Sequence, residues 1–169
     1  MPNATSLVNA AAAISLAEQL AIDFVVVARI AGVNLPEGAV TVEVLPAPHA
    51  SPLRLPAGKV AVYVFAKGAE TLKVGKVGAK SHARYTSQHY IPGSAKSTLA
   101  ASILLDAADH RLTEEDIGSV GIWIRTHVDR INFLLDERFG PHTLALFEAF
   151  LQCRLNPRYE GFKSQTPIG

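Results

Sequence analysis

Apolar and polar positions change their period along the chain, and the changes mark out its elements. From Leu7 to Ile30, Ala, Val, Ile and Leu dominate, which predicts a helix that Asn3 or Thr5 caps and Gly32 ends. Val40, Val42 and Val44 then alternate with Thr41, Glu43 and Leu45, the period of two expected of a strand. Pro46, Pro48, Pro52 and Pro56 fall within eleven residues and exclude both a helix and a central strand there. Two apolar runs, Val60 to Phe65 and Leu72 to Val77, flank Lys67-Gly68-Ala69-Glu70, the pattern of a β-hairpin with a glycine in its turn.

Beyond the hairpin, Ser81 to Tyr90 reads as a short helix that Ile91-Pro92-Gly93 breaks. Ser94 and Ser97 offer caps for a helix from Thr98 to about Asp109. Thr113 and Asp116 form a capping-box pattern that opens another, running to about His127. Ile131 to Leu135 reads as the third core strand, and a last helix begins at Pro141 or His142 and carries Leu144, Phe147, Glu148 and Leu151 to Asn156. The expected fold is α+β: a small three-stranded antiparallel sheet flanked by helices, behind an N-terminal helix-and-strand extension. The expected division is an extension over residues 1–58, a core domain over 59–162 and a frayed tail over 163–169.

Composition narrows the class. A chain of 169 residues, 49% apolar and 18% charged, can bury a core of its own and is not disordered. Cys153 is the sole cysteine, so neither an internal disulfide nor a cysteine-built zinc site can form, and a cytoplasmic setting is expected. Glu18, Gln19, Asp23 and Arg29 interrupt the apolar N-terminal stretch. A charge at the bilayer centre costs about 2.5–3.5 kcal/mol, so the stretch reads as a largely buried soluble helix and no membrane partner is expected.

Charge adds a direction. Lys59, Lys67, Lys73, Lys76, Lys80, Arg84 and Lys96 face only Glu70, a local +6 in a chain of net +1, whereas residues 97–147 net −4. A basic face confined to the hairpin and the first helix after it suits an anionic polymer such as DNA, bound in a salt-dependent manner.

Within the same stretch Ala61-Val62-Tyr63 is followed by Lys73-Val74-Gly75 and then Arg84. Much later, LALFEAFLQCRLNPRYE, Leu144 to Glu160, carries a glutamate mid-helix and a Pro-Arg-Tyr segment. This order resembles the GIY-YIG nuclease superfamily over roughly Lys59 to Phe162. The resemblance implies a GIY-YIG-like core and a restriction-type or defence-related endonuclease that hydrolyses DNA phosphodiester bonds with Mg²⁺ or Mn²⁺. It implies that Tyr63 activates water, that Glu148 holds one metal ion, and that Arg84 and Lys73 stabilise the phosphate. Lys76 and His89 are further candidates, and Lys76, Lys80, Arg84 and Lys96 are the expected DNA contacts. Double-strand cleavage from a single site implies a homodimer or sequential nicks. The chain departs from the family pattern in having Ala61 for glycine, Lys73 for tyrosine, Gln88 where His or Tyr is frequent, and Glu160 for asparagine.

The residue chemistry agrees with those roles. A phenol titrates near about 10, and +6 of local charge is expected to favour the phenolate of Tyr63. Glu148 is a lone carboxylate on an otherwise apolar helix, a costly position unless it pairs or ligates a cation. A guanidinium at Arg84 can give a phosphate two hydrogen bonds. Plainer roles stand beside these: Tyr63 as core, Glu148 paired with Arg154 or Arg84, Lys73 and Lys76 on a solvated strand face, Arg84 as a helix-end pair. His49, His82, His110, His127 and His142 read as surface or capping residues, and Trp123 as core. The competing classes are a non-catalytic nucleic-acid-binding module on the same fold and, more remotely, a structural partner of an acidic protein.

Overall fold

The computed structural model describes residues 4–159. Helix α1 spans Ala4–Ile30 and strand β1 Val40–Leu45; β2 (Lys59–Lys67) and β3 (Glu70–Val77) follow. Three helices, α2 (His82–Thr86), α3 (Leu99–Leu105) and α4 (Glu114–Gly118), lead to α5 (Val120–His127), β4 (Asp129–Asp136) and α6 (Gly140–Leu155). Single 3₁₀ turns lie at Gln88–Tyr90 and Glu137–Phe139. The expected Asn3 cap and the tail at 163–169 lie outside the described residues.

The architecture is α+β, but its antiparallel sheet has four strands rather than the expected three, in the order β1-β4-β2-β3. The fourth strand is β1, which pairs with β4 from Val40↔Leu135 to Leu45↔Arg130. Along the chain the prolines separate this strand from the hairpin, so it is expected in an extension, and a strand pattern does not name its partner. The hairpin itself is as expected. Lys67 pairs with Glu70, and Gly68 takes φ +61°, which costs glycine little.

Two layers of helix cover the sheet. On one face α1 and α6 pack on Val60, Val62, Val64 and Val74, and the Phe24 and Phe147 rings stack with centroids 3.9 Å apart. Here α1 departs from expectation: among its described side chains the buried ones form the stripe Ala17, Leu20, Ala21, Phe24 and Ala28, while Ile22, Val26 and Ile30 are exposed. On the other face α3, α5 and the 3₁₀ turn at 88–90 cover Ala61, Tyr63 and Phe65.

Three further differences have local causes. The helix after Pro92 is capped by Thr98, whose extended backbone lets its hydroxyl accept from Ala101 N–H, and not by Ser94 or Ser97. The helix expected from the Thr113/Asp116 capping box opens with that box but breaks at Ser119, just after Gly118, so that α4 and α5 are separate. The segment expected as one helix over 81–90 divides at Ser87, where the backbone leaves the helical region.

Candidate active site at the edge of the sheet

Residues directly opposite each other in an antiparallel ladder project from the same face. One cross-sheet row therefore runs Glu43, Asn132, Tyr63, Gly75, and the next runs Leu45, Arg130, Phe65, Lys73. Both end at β3, an edge strand. A Cβ on Gly75 would lie 2.2 Å from the Tyr63 hydroxyl oxygen, so the absence of a side chain here is what lets the phenol lie across the edge strand. The motif glycine is thus explained by the motif tyrosine.

Arg84, in the helix after β3, reaches that phenol: its Nε donates to the Tyr63 hydroxyl at 3.2 Å. Tyr63 is wholly buried. Burial pushes its phenol above the ordinary value, the Arg84 charge and hydrogen bond pull it down, and the Glu148 carboxylate pushes it up again. The expected lowering is therefore corrected. The cations crowd the sequence near Tyr63, but Lys80 and Lys96 are exposed and Lys76 is paired elsewhere, so desolvation prevails.

Lys76 is opposite Val62 and so belongs to the α6 face, where its Nζ donates to Glu148 Oε2. The carboxylate does pair, as the plainer reading of the sequence allowed, but with Lys76; Arg154 instead meets Asp23 at 3.2 Å. Glu148 thus approaches β3 from one side and Tyr63 with Arg84 from the other. It remains near enough to act on the phenol.

Lys73 is buried, not on a solvated strand face, and its Nζ donates to Ser97 Oγ at 2.9 Å. His89 is buried too. Its Nδ1 accepts from Leu99 N–H at 3.3 Å, its ring lies 4.5 Å from that of Tyr63, and its buried Nε2 has no hydrogen-bond partner among the described residues. Burial, with Lys73, Arg84 and Arg130 adding repulsion, holds its pKa well below the ordinary value, so the imidazole is neutral. His110, expected at the surface, is also buried and meets the Tyr159 hydroxyl at 2.7 Å.

Sequence reasoning missed the residues behind the phenol. Arg130 is fully buried, with Nε donating to Asn132 Oδ1 at 2.8 Å and Nη1 to the Tyr90 hydroxyl at 3.3 Å. Its guanidinium lies over the rings of Tyr85, Phe65 and Tyr63 at 4.9, 5.2 and 5.8 Å. Asn132 Nδ2 and the Tyr85 hydroxyl both donate to Glu43 Oε2, at 2.7 and 3.1 Å. A signal existed: Arg130 and Asn132 alternate with Ile131 and Phe133, so a strand expected to be core has one polar face.

The described residues contain no group of three or more His, Cys, Asp or Glu placed to hold a metal ion, so an ion at Glu148, the position the family resemblance implies, would have one carboxylate from the protein. A single carboxylate fits Mg²⁺, which keeps most of its waters and takes further oxygens from substrate phosphate, provided Lys76 gives way. Comparison of the chain with protein-family models, with curated proteins and with solved structures finds no match.

Proposed function

We propose that the chain is a divalent-metal-dependent DNA endonuclease of the GIY-YIG kind that hydrolyses phosphodiester bonds. The observation that carries this reading is the hydrogen bond from Arg84 to the Tyr63 phenol across Gly75, with Glu148 in electrostatic reach of the same oxygen.

In this reading Tyr63 takes the proton of the attacking water, and Arg84 stabilises both the phenolate and a phosphate oxygen through the several donors of its guanidinium. Lys73 adds buried positive charge on the Tyr63 face and, through Ser97, ties down the loop before α3. The exposed Lys80 and Lys96 meet the DNA backbone. Glu148 would hold Mg²⁺ or Mn²⁺ once separated from Lys76, and the bound cation would supply charge stabilisation to the phosphate and leaving oxygen. Because burial raises the Tyr63 phenol, little phenolate exists at neutral pH, and turnover is expected to climb through pH 7 to 9 without a plateau.

The Lys76–Glu148 pair and the raised phenol favour a second reading, a catalytically degenerate nucleic-acid-binding module on the same fold. Supercoiled plasmid, incubated with Mg²⁺ or with chelator, separates the two. A nuclease nicks only with metal and loses about 10²–10⁴-fold in Tyr63→Phe. Glu148→Ala abolishes cutting and leaves DNA affinity largely intact. DNA binding without metal-dependent nicking in the parent chain sinks the enzyme reading and leaves the module.

A further inference from the structure

The face of α1 turned away from the core is the largest feature that the proposed chemistry leaves unused. Ile14, Glu18, Ile22, Val26 and Ile30 recur every four residues along one ridge, and the four apolar members are exposed, Ile22 to 60% and Ile30 to 83%. Beside this ridge a groove of about 870 Å³ runs between α1 and β1, floored by Leu35, Val40 and Val42 and edged by Glu18, Arg29 and Glu37. Strand β1 forms one border of the sheet, with no strand on its outer side among the described residues. The apolar helix ridge and the border strand thus share one groove.

We propose that this face is a homodimer interface in which two copies pack α1 antiparallel to α1 about a two-fold axis near Ile22 and Val26, each ridge entering the other copy's groove. The charge pattern selects both the occupant and its direction. Glu18 and Arg29 both line the groove, about 16 Å apart along the helix on either side of Ile22 and Val26. An antiparallel mate brings each Glu18 to the other copy's Arg29 and each Ile22 to the other's Val26, which makes the patch self-complementary, as a two-fold contact requires. A parallel mate would set like charges together. Asp23 stays out of the contact because it pairs with Arg154 within its own chain.

The competing occupant is a lipid surface, since Ala11–Ile30 is long and apolar enough to cross a membrane. The buried stripe of the same helix argues against insertion, because Phe24 stacks on Phe147 in the core. The interface does not depend on the nuclease reading and is tested without DNA.

Sedimentation velocity on the full chain across a concentration series should show a particle of twice the chain mass. Ile22→Glu should leave only monomer. Glu18→Arg and Arg29→Glu should each weaken association about tenfold or more, and the double variant should restore it. Circular dichroism and thermal melts check that these exposed substitutions leave the fold intact. Should Ile22→Glu fail that check, the charge-reversal set decides alone. Three results would overturn the proposal: a monomeric parent at every concentration, a double variant no better than the singles, or a monomer that floats with phosphatidylcholine–phosphatidylglycerol vesicles.

Discussion

On one face of the sheet Val60, Val62, Val64 and Val74 meet Phe24, Phe133 and Phe147 in an apolar layer. On the other face the same strands present Glu43, Asn132, Arg130, Tyr63 and Lys73 beneath a roof that holds Arg84 and His89. The first face gains stability from every side chain it buries. The second places charged and polar groups where water is excluded, and leaves His89 Nε2 and Arg130 Nη2 without hydrogen-bond partners among the described residues. Burying such groups costs free energy unless each is satisfied. Within one domain the apolar face therefore stabilises the fold, and the polar face spends part of that stability to hold a phenol, a guanidinium and an ammonium in fixed positions. Departures from core rules concentrate where chemistry is proposed.

Breaking the apolar face should have the largest effect. Phe147→Ala removes a ring stacked on Phe24 and set edge-on to Phe133, and should cost about 3–5 kcal/mol in urea unfolding. A loss below about 1 kcal/mol would mean that this layer does not dominate stability.

Gly75→Ala comes next, because it drives a methyl group into the Tyr63 hydroxyl. It should cost about 1–3 kcal/mol and abolish metal-dependent nicking together with the phenol's position. Unchanged stability with full activity would show that the phenol has no need of this gap.

Acid should then act on the polar face. Burial holds His89 neutral, with His49 and His110 also lowered, so the unfolded chain takes up protons before the folded chain does. Stability is complete above the unfolded value and is lost as pH falls through it toward the folded values. From His89 alone the loss between pH 6.5 and 5.5 should be about 1 kcal/mol, and His89→Gln should remove that part of the slope. A pH-independent midpoint over that interval would contradict the buried neutral imidazole.

Arg130→Met should have the smallest effect on stability, within about 1 kcal/mol, because an apolar chain of similar length removes the desolvation cost of a buried guanidinium and its unpartnered Nη2, which offsets the loss of two hydrogen bonds. Nicking should nevertheless fall about tenfold, since Tyr63 and Tyr85 lose the cation packed on their rings. Parallel loss of stability and activity would make Arg130 an ordinary core residue.

Much of the fold was legible because it is written locally. The short apolar runs gave the hairpin and β4, the glycine in the turn gave its closure, and Thr113 with Asp116 gave a helix start that the structure reproduces. Local patterns could not show that β1 completes the sheet, since a strand's pattern fixes which face is apolar and leaves its neighbour unspecified. The same limit applies at the site. Tyr63, Arg84 and Glu148 could be picked out by type and order, yet Lys76 as the partner of Glu148, Lys73 as a buried group and the Arg130–Asn132–Glu43 network all depend on register.

By itself, then, the sequence determined the element types, the hairpin and the residue kinds offered for chemistry, because propensity, turn and capping preferences act over a few neighbouring residues. Only the tertiary structure decided which face each charge occupies and how far it is desolvated. The Tyr63 phenol is the plainest instance: cations counted along the chain predict a lowered pKa, and burial beneath the helices raises it. Coulomb interactions and desolvation depend on distance and exposure in three dimensions, which residue numbering does not encode.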